Sequence, residues 1–386
     1  MTRKRILFSA RWYPDRHDPM LGLFVQRHAE AVQLLHDVEV LYVTADKTLP
    51  SGKIITDESV HEGIHETRIY FGKHASELTN ALEYVKYYLR GLRLITRKRG
   101  NIDISHVHVL SRAAIPALWL KYTSGIPFII TEHWSRYLPE NVAKGAYSGV
   151  FRKWFTRFAV TSASSVTTVT QNLADAMLRL GLKNQYHVVP NVADTGLFHP
   201  AKENAERDVK KLIHVSCFDE PAKNIKGIIN VVSKLANDRK DFILEIVGDG
   251  VDFAEVKQHA EKTGLMDSRI FFTGLLTGEA LASRIRDADA LVMFSNYENL
   301  PCTIVESICS GVPVISSDVG GIREHLRSEN GLLVKAGDEL ALSKAIYSFL
   351  DQKILFRKDE ISQYGLSHFS MKIISERFES IYSQHK

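Results

Sequence analysis

Short apolar runs rich in β-branched residues recur along the chain, and most of them are separated by stretches with helical periodicity. In the first half these runs occupy residues 5–10, 38–43, 67–71, 104–109, 128–131 and 166–169. An apolar run without alternation is typical of a strand buried on both faces, as in a parallel sheet covered by helices. The alternation of such strands with helices predicts a doubly wound parallel sheet.

The same pattern begins again near residue 211, which indicates two copies of one architecture. The later apolar runs occupy residues 211–216, 242–247, 290–294 and 312–316. A helix is predicted over 225–236, and the segment 189–200 between the copies is rich in Pro, Asn and Gly. We therefore predict an α/β fold with two Rossmann-like, doubly wound parallel-sheet domains, 1–190 and 191–369, facing each other across a cleft.

The C-terminal segment 370–386 has the pattern of an amphipathic helix. Its apolar residues Ile373, Ile374, Phe378 and Ile381 fall near one face of the helical wheel. An exposed helix with one apolar stripe needs a surface to cover that stripe. The segment is therefore predicted to end the chain as a separate helix after the second domain.

Length and composition are those of a folded globular protein. The 386 residues suffice for two domains that each bury a core. No apolar run is long enough to span a bilayer, and the run after the basic N-terminus is too short for a signal-peptide core. The cysteines Cys217, Cys302 and Cys309 show neither metal-binding spacing nor a paired framework. We therefore expect a reduced, cytoplasmic chain.

Charge is distributed unevenly between the two halves of the chain. Residues 1–190 contain 25 Lys and Arg against 16 Asp and Glu, whereas residues 191–386 contain 24 against 29. A basic half of this kind favours an anionic partner. We expect no nucleic-acid partner, because no zinc spacing, helix-turn-helix pattern or aromatic–basic recognition motif accompanies the charge. A membrane surface or an anionic acceptor lipid fits the charge better.

Two amphipathic stretches in the basic half bear on contact with a membrane. Their aligned apolar residues are Leu82, Val85, Leu89 and Leu92 in the first stretch, and Phe151, Trp154, Phe155 and Phe158 in the second. Each stretch is explained either by a core-packed helix with a solvated basic face or by peripheral docking on anionic lipid. The second alternative would place the protein at the inner face of the membrane.

A strand–turn–helix–strand unit over residues 290–316 carries the candidate chemistry. Pro301 suits the first position of a helix over 301–310, because its missing N–H costs nothing there and its φ is already helical. Glu298 stands in the turn before this helix, and Glu306 lies within it. The two carboxylates are therefore predicted to lie near the carboxyl edge of the second sheet.

The start of that helix is a predicted anion site. The amides of Leu300, Cys302 and Thr303 lie there, where N–H groups and the helix dipole attract negative charge. Carboxylates such as Glu298 and Glu306 accept hydrogen bonds in pairs from vicinal diols. The unit therefore fits an anionic group flanked by two polyhydroxylated groups, which is the layout of a nucleotide diphosphate sugar.

This unit, followed after the next strand by Val319-Gly-Gly-Ile-Arg-Glu324, resembles glycosyltransferase family four. The resemblance covers nearly the whole chain and is densest over residues 187–337. It implies a GT-B fold and a retaining, metal-independent hexosyltransferase that moves a sugar from a nucleotide diphosphate donor to an acceptor hydroxyl. It further implies a sugar or lipid-linked acceptor, a role in cell-surface polysaccharide or glycolipid synthesis, and no cofactor. The terminal helix 370–386 would cross back to the N-terminal, acceptor-side domain.

The resemblance also implies roles for individual residues. Glu306 would hold the ribose diol and Glu298 the hydroxyls of the donor sugar, while Lys223 would stabilise the leaving diphosphate. His133, which follows the run 128–131, would contact the donor sugar near the reaction centre. The implied catalytic residues are thus Glu298, His133 and Lys223. The implied donor-binding residues are Gly22, Lys223, Gly248, Glu298, Asn299, Leu300, Pro301, Cys302, Thr303 and Glu306.

The chain departs from the family pattern at two positions. Leu21 precedes Gly22 where the family has a pair of glycines, and Cys217 replaces an arginine that binds the donor phosphates. Either a different cation substitutes for it, with Lys226 the nearest in sequence, or diphosphate binding is weaker. Asp287-Ala-Asp289 resembles a metal-binding motif, but its place between a helix and a strand favours capping, so no metal is expected.

Other functional classes stay open at this stage. One is another two-domain enzyme of the same build, such as a phosphorylase or an epimerase. The other is a non-catalytic relative that binds nucleotide sugars, for which the replacement at Cys217 is the argument.

Overall fold

The computed structural model describes residues 2–201 and 208–385. The chain divides by its internal contacts into two compact units. The first unit contains the chain up to Val192 together with the residues from Met371 onwards, and the second is Ala193–Ser370. The sequence pattern placed the boundary at residue 190 and the return at residue 370, so the two divisions differ by two residues or fewer.

The first unit is built around an eight-stranded sheet. Its strands are β1 (Arg5–Ala10), β2 (Asp37–Asp46), β3 (Ile54–His61), β4 (Ile64–Gly72), β5 (Ile104–His108), β6 (Phe128–Glu132), β7 (Ser165–Thr168) and β8 (Tyr186–Val188). Its helices up to that point are α1 (Leu23–Gln33), α2 (Glu77–Arg99), α3 (Ile115–Ser124), α4 (Pro139–Ala143), α5 (Val150–Ser162) and α6 (Gln171–Arg179). The strand order is β3-β4-β2-β1-β5-β6-β7-β8.

One edge of this sheet corrects the prediction of a wholly parallel arrangement. Strand β3 pairs antiparallel with β4, from Ile54 opposite Phe71 to His61 opposite Ile64. The two turn residues, Glu62 and Gly63, have φ of 49° and 80°, as a tight hairpin turn requires. Most of β3 is exposed, so its residues show no continuous apolar run from which a strand was predictable.

The second unit has a six-stranded, fully parallel sheet with the strand order β11-β10-β9-β12-β13-β14. Its strands are β9 (Lys210–Val215), β10 (Phe242–Val247), β11 (Ile270–Gly274), β12 (Ala290–Met293), β13 (Val314–Ser317) and β14 (Gly331–Val334). Its helices are α7 (Glu220–Lys223), α8 (Ile225–Leu235), α9 (Phe253–Glu261), α10 (Gly278–Arg286), α11 (Cys302–Cys309), α12 (Glu339–Leu350) and α13 (Lys358–Phe369). This order is that of a doubly wound nucleotide-binding sheet.

The last helix, α14 (Met371–Tyr382), belongs to the first unit. Its residues Ile374, Phe378, Ile381 and Tyr382 are each at most 2% exposed and join the apolar cluster around β1 and α1. The Tyr382 hydroxyl lies 2.6 Å from Nδ1 of a buried histidine, His106, on β5. The helix therefore covers one face of the first sheet.

The two amphipathic stretches fold as helices, but their buried faces differ from the predicted ones. On α2, Leu82 and Val85 are 62% and 39% exposed, whereas Tyr87 and Tyr88 are buried. On α5, small side chains such as Ala159 face the core instead of the aromatic ones. The alternative of core-packed aromatic residues on α5 is therefore wrong for Phe151, Trp154 and Phe158, whereas Phe155 packs against the core.

Each sheet has a point at which its strand order reverses. In the first unit this point lies between β1 and β5, which are paired side by side, and in the second it lies between β9 and β12. The carboxyl ends of parallel strands at such a point form a crevice in which ligands bind. Among the described residues, no helix combines the length and hydrophobicity that crossing a bilayer requires.

Candidate functional site

The reversal point of the second sheet brings together two predicted residues that are far apart in sequence. Lys223 ends the short helix that follows β9, and Glu298 lies in the turn after β12. The Lys223 ammonium contacts Oε1 of Glu298 at 2.5 Å. The Ser295 hydroxyl donates to the same oxygen at 2.9 Å. Ser295 was not predicted, although its place directly after a buried strand is a usable signal.

The environment keeps the Lys223 ammonium protonated. Burial by itself would lower the pKa of Lys223, but the carboxylate of Glu298, with Cys217 and Asp219 nearby, outweighs burial and raises it. The side chains of Lys223 and Glu298 are only 15% and 11% exposed. The pair therefore presents one cation and one anion in a partly dehydrated place, where both interact strongly with a polar ligand.

Lys226, the cation considered as a substitute for the family arginine, already has an acidic partner. Lys226 forms an ion pair with Glu255 on α9. Cys217, which stands at the position of that arginine, is exposed. Lys223 is therefore the cation that the structure places beside Glu298.

The predicted helix begins one residue later than expected. Pro301 has φ −61° and ψ 131° and is the N-cap of α11, so its assignment as the first helical residue is wrong. Cys302 and Thr303 form the first turn, with the Thr303 hydroxyl 3.5 Å from Sδ of Met293. Glu306 lies one turn further along and is half-buried. The positive end of the α11 dipole thus lies at residues 302 and 303.

A glycine loop that carries none of the predicted site residues packs against the Glu298 turn. A Cβ on Gly320 would lie 1.9 Å from the carbonyl oxygen of Glu298. The amide of Gly321 donates to the carbonyl of Asn299 at 3.1 Å. The loop after β13 therefore fixes the backbone that carries Glu298 and Asn299, and the paired glycines after the strand were the available signal.

The two predicted donor-binding glycines have observed structural roles. Gly22 precedes α1 with φ 68°, and a Cβ there would lie 2.3 Å from the carbonyl of Trp12. Gly248 has φ 137°, and a Cβ would lie 1.9 Å from the carbonyl of Ser216. Both glycines allow two segments of one unit to approach closely, and their contact with a donor stays a prediction.

His133 lies in the first unit, within a group of stacked imidazoles. Its Nε2 is 3.2 Å from Nδ1 of His108, and its ring is 4.6 Å from that of Phe24 and 5.2 Å from that of His28. Burial and the neighbouring histidines lower the pKa of His133 well below its usual value, although a hydrogen bond with Asn191 opposes them. The imidazole is therefore neutral near pH 7 and suited to hydrogen bonding rather than to carrying charge.

Among the described residues, these three histidines are the group whose spacing suits a metal ion. His28, His108 and His133 each offer a nitrogen within 4.8 Å of the others. Asp289, from the motif that resembled a metal site, instead accepts a hydrogen bond at 2.8 Å from the amide of Lys211 at the start of β9. That aspartate therefore anchors a strand, as its position between helix and strand indicated.

The sequence matches two family models, one in each half. Residues 21–192 match the model described as a glycosyl transferase 4-like domain. Residues 198–366 match the model described as glycosyl transferases group 1. Together these models span both units apart from their ends.

Similar proteins extend over most of the chain. N-acetyl-alpha-D-glucosaminyl L-malate synthase from Bacillus anthracis is 26% identical over 333 residues, which are 82% of this chain and 83% of that protein. Sucrose-phosphate synthase from Thermosynechococcus elongatus superposes with a TM-score of 0.77 at 20% identity, covering 99% of both chains. Anabaena HepE in complex with UDP-glucose gives 0.71 at 18% identity, covering 99% of this chain and 100% of that one.

Proposed function

The chain belongs to the group 1 glycosyltransferases with a GT-B fold, and from this premise we propose that it transfers a sugar from a nucleoside diphosphate donor to an acceptor hydroxyl with retention of configuration. The donor is proposed to bind at the reversal point of the second sheet. The structural relative with bound UDP-glucose supports a donor of this chemical class. Synthesis of a cell-surface polysaccharide or a glycolipid is the role we favour.

The contact between Lys223 and Glu298 is the observation that carries this proposal. A buried lysine and glutamate that bind only each other would form an ordinary structural ion pair. Here the pair lies at the reversal point of a doubly wound sheet, next to the N-terminus of α11. A ligand with an anionic diphosphate and a hydroxylated sugar offers each partner a new contact, Lys223 with phosphate and Glu298 with hydroxyl groups.

In the proposed reaction these groups stabilise charge as the glycosidic bond breaks. The leaving diphosphate gains negative charge, which Lys223 and the positive end of α11 offset. Glu298 is already held by Lys223 and Ser295, which favours a role in orienting the donor sugar over a role as covalent nucleophile. We therefore propose attack from the face of the leaving phosphate, without a metal ion or a cofactor. Glu306 would bind the ribose, and neutral His133 would donate to a sugar hydroxyl.

Substitution of the pair tests the donor site. Hydrolysis and transfer are measured with UDP-glucose, GDP-mannose and ADP-glucose, after a thermal-shift comparison of UDP, GDP and ADP has identified the base. Lys223→Met and Glu298→Gln should each reduce the rate by about 10²–10³-fold, as the loss of a group that stabilises the transition state does. Lys234→Met is the matched control, because Lys234 pairs with Glu339 in an exposed place. Equal rates for all three variants would refute the assignment of Lys223 and Glu298 to the donor site.

The stereochemistry is tested separately by NMR of the product. Retention predicts that the anomeric configuration of the donor sugar persists, and an inverted product would contradict the proposal. An absorbance band of pyridoxal phosphate in the purified protein would instead support the phosphorylase alternative. Donor binding without any turnover would support the non-catalytic alternative.

We also propose that α5 docks on an anionic membrane surface. Phe151, Trp154 and Phe158 are 76%, 58% and 36% exposed, and Tyr122 from α3 is 62% exposed. Their rings follow one another at centroid distances of 5.8, 5.7 and 6.0 Å. We call these four residues the aromatic ridge. Exposed contiguous aromatic surface of this kind marks an interaction site.

Basic side chains border the aromatic ridge. Arg152, Lys153 and Arg157 are exposed, and none of them has an acidic partner among the described residues. Aromatic rings that enter the headgroup region and cations that contact anionic lipid are the features of an interfacial helix. The charge therefore favours a lipid surface over a neutral partner.

Vesicle sedimentation tests the membrane proposal. The protein should bind vesicles of phosphatidylglycerol and phosphatidylcholine but not of phosphatidylcholine alone, and 0.5 M salt should weaken the binding. The Phe151→Ser/Trp154→Ser variant should lose binding while its donor hydrolysis persists. Equal binding to both vesicle types would contradict the proposal, as would full binding by the variant.

A further inference from the structure

Three histidines of the first unit lie close together in the layer between its sheet and α1. His28 belongs to α1, His108 ends β5 and His133 follows β6. One ring nitrogen of each lies within 4.8 Å of the other two. His28 and His108 are fully buried, whereas His133 is partly exposed. We call these three residues the histidine cluster, of which the proposed function uses only His133.

Aromatic side chains enclose the histidine cluster. The ring of His108 stacks on that of Phe8 at 4.4 Å, and the ring of His28 lies 5.2 Å from that of Phe378 on α14. Phe8 and Phe378 belong to the apolar cluster around β1 and α1. The two buried imidazoles therefore lie inside a packed layer. An apolar shell of this kind excludes water and strengthens the interaction of the ring nitrogens with an ion.

His28 presents a buried lone pair that the described part of the chain does not satisfy. Nε2 of His28 lies 2.9 Å from the carbonyl oxygen of Pro190. A carbonyl oxygen only accepts, so Nε2 carries the proton and Nδ1 carries the lone pair. Nδ1 is buried and has no hydrogen-bond partner among the residues that the structure describes. A buried acceptor without a partner points to a ligand that the polypeptide itself does not supply.

The other two histidines face each other with the spacing of metal ligands. Nδ1 of His108 lies 3.2 Å from Nε2 of His133. Two nitrogens bound to one tetrahedral Zn²⁺ at about 2.0–2.1 Å are themselves about 3.3 Å apart. The pair therefore already spans one edge of a zinc tetrahedron. His28 completes the set when its nitrogen approaches by about 1.5 Å or less, from the 4.8 Å limit to that ideal separation.

Adjacent residues of one segment orient two of the three imidazoles. Pro190 accepts a hydrogen bond from His28, and Asn191 forms a hydrogen bond with His133. Metal-binding histidines almost always use their second nitrogen in this way, because such a partner fixes the ring. Burial also lowers the pKa of His28 to about 4. The imidazole is therefore neutral near pH 7, which is the form that binds a metal.

We propose that the histidine cluster binds one Zn²⁺ ion through Nδ1 of His28, Nδ1 of His108 and Nε2 of His133. The ligands of this group are imidazoles only, which favours Zn²⁺ over Mg²⁺ and Ca²⁺, since those ions prefer oxygen ligands. The partly exposed side of His133 admits the ion and a water molecule as the fourth ligand. The metal takes no part in the proposed transfer reaction.

Bound Zn²⁺ should inhibit the transfer reaction. This consequence rests on the proposed function, in which His133 donates to a sugar hydroxyl. Coordination uses Nε2 of His133, so that nitrogen no longer donates to the sugar. Loss of one hydrogen-bond donor at a reacting group lowers a rate by about 10²–10³-fold. Saturating Zn²⁺ should lower the transfer rate by a factor of that size, and a chelator should restore it.

Spectroscopy of the full chain tests the site without donor or acceptor. The protein is stripped with a chelator and titrated with Co²⁺, which accepts the same ligands as Zn²⁺ and absorbs visible light when it is four-coordinate. One equivalent of Co²⁺ should produce these bands, and Zn²⁺ should abolish them. X-ray absorption of the Zn²⁺ form should show three imidazole nitrogens at about 2.0–2.1 Å and no sulfur ligand.

Three variants connect the bound ion to these residues. His28→Gln should weaken Zn²⁺ binding by more than about 100-fold and Asn191→Ala by about 10–100-fold, because loss of an outer-shell partner has the smaller effect. His17→Gln is the matched control, since His17 is an exposed histidine beside the carboxylate of Asp46. It should bind Zn²⁺ as the unmodified protein does. Circular dichroism melting confirms that each variant is folded, and the X-ray absorption measurement does not depend on any variant.

The outcomes distinguish this inference from the proposed function. One stoichiometric ion that depends on His28 and lowers the transfer rate supports it. Binding that persists in His28→Gln and disappears in His17→Gln indicates an adventitious ion only and overturns it, as does an absorption spectrum with fewer than three imidazoles. Stoichiometric binding that leaves the transfer rate unchanged overturns the inhibition. Absence of transfer by the stripped protein contradicts the proposed function alone, because the metal titration needs no substrate.

Discussion

Backbone contact at a single glycine determines how the candidate catalytic glutamate is held. Gly320 has φ 58° and packs directly against the carbonyl of Glu298. Any side chain at this position must displace the turn that carries the carboxylate. The site is therefore sensitive to a residue that contributes no functional group.

Replacement of Gly320 by alanine should reduce the transfer rate as well as the stability of the fold. Gly337 is the matched control, because its φ is 75° and a Cβ there would meet nothing within 4 Å. Both alanine variants should lose about 1–2 kcal/mol of unfolding free energy from the left-handed backbone, and Gly320→Ala should lose more, because its Cβ would lie 1.9 Å from the carbonyl oxygen of Glu298. Gly320→Ala alone should also lose about 10²-fold in transfer rate, since a displacement of about 1 Å at a reacting group has that effect. Urea unfolding and donor hydrolysis measure the two quantities, and equal hydrolysis by both variants would contradict this account.

Burial of Glu39 on β2 makes the stability of the first unit depend on pH. Burial raises the pKa of Glu39 to about 7, although Arg99 and Arg5 oppose the shift. The folded protein therefore holds a proton that the unfolded chain releases near pH 4.5, and stability falls as pH rises from there to about 7.

Glu39→Gln should remove this penalty. The variant should be about 2 kcal/mol more stable than the unmodified protein at pH 8, because each unit of pKa shift corresponds to about 1.4 kcal/mol. At pH 5 the gain should be much smaller, since most of the titration of the folded carboxyl lies above that pH. Denaturant unfolding at both pH values measures the difference. A gain that is the same at pH 5 and pH 8 would refute the assigned pKa.

At the scale of elements, two helices of the first unit use their aromatic residues in opposite ways. Helix α14 buries Phe378 completely, whereas α5 exposes 76% of Phe151. Both helices have strong apolar periodicity in sequence. The difference is decided by the face of the sheet that each helix covers and by the side chains already present there.

A pair of phenylalanine substitutions tests this difference. Phe378→Ala should cost about 3–5 kcal/mol of unfolding free energy, because it opens a cavity in a packed cluster. Phe151→Ala should change the free energy by no more than about 0.5 kcal/mol, as surface substitutions do. Thermal and urea unfolding measure both variants. A large loss in Phe151→Ala would show that the ridge is covered in solution and would count against the membrane proposal.

At the scale of the whole molecule, the second unit is an insertion into the first. The chain leaves the first unit after Val192 and re-enters it at Met371. The second unit is therefore continuous in sequence and has its own apolar core. The first unit is discontinuous, and α14 supplies part of its apolar cluster around β1 and α1.

Fragments of the chain should fold according to this division. Residues 193–370 alone should unfold cooperatively and keep the melting shift with the nucleoside diphosphate. Residues 1–192 alone lack the cover of α14, so they should melt at a lower temperature and bind a hydrophobic dye. Addition of a peptide of residues 371–386 should reverse both changes. A fragment of residues 1–192 that melts like the full chain, without dye binding, would contradict the structural role of α14.

The repeated apolar runs determined the α/β class, most of the strands and the two-part organisation. They did so because a strand buried on both faces must be apolar throughout, whatever its neighbours are. The same runs located Glu298 and His133 in the turns that follow strands. They did not reveal β3, because an exposed edge strand carries no such run, and they did not determine which face of α2 or α5 is buried.

Only the tertiary structure decided which residues meet. Lys223 and Glu298 are 75 positions apart, and they touch because β9 and β12 are neighbours at the reversal point of one sheet. His108 and His133 are 25 positions apart, and they meet because β5 and β6 are neighbours in the other sheet. A continuous apolar run records that a strand is buried on both faces, since this burial acts on each strand separately. Strand order depends on the packing of the whole unit, so no local pattern records it.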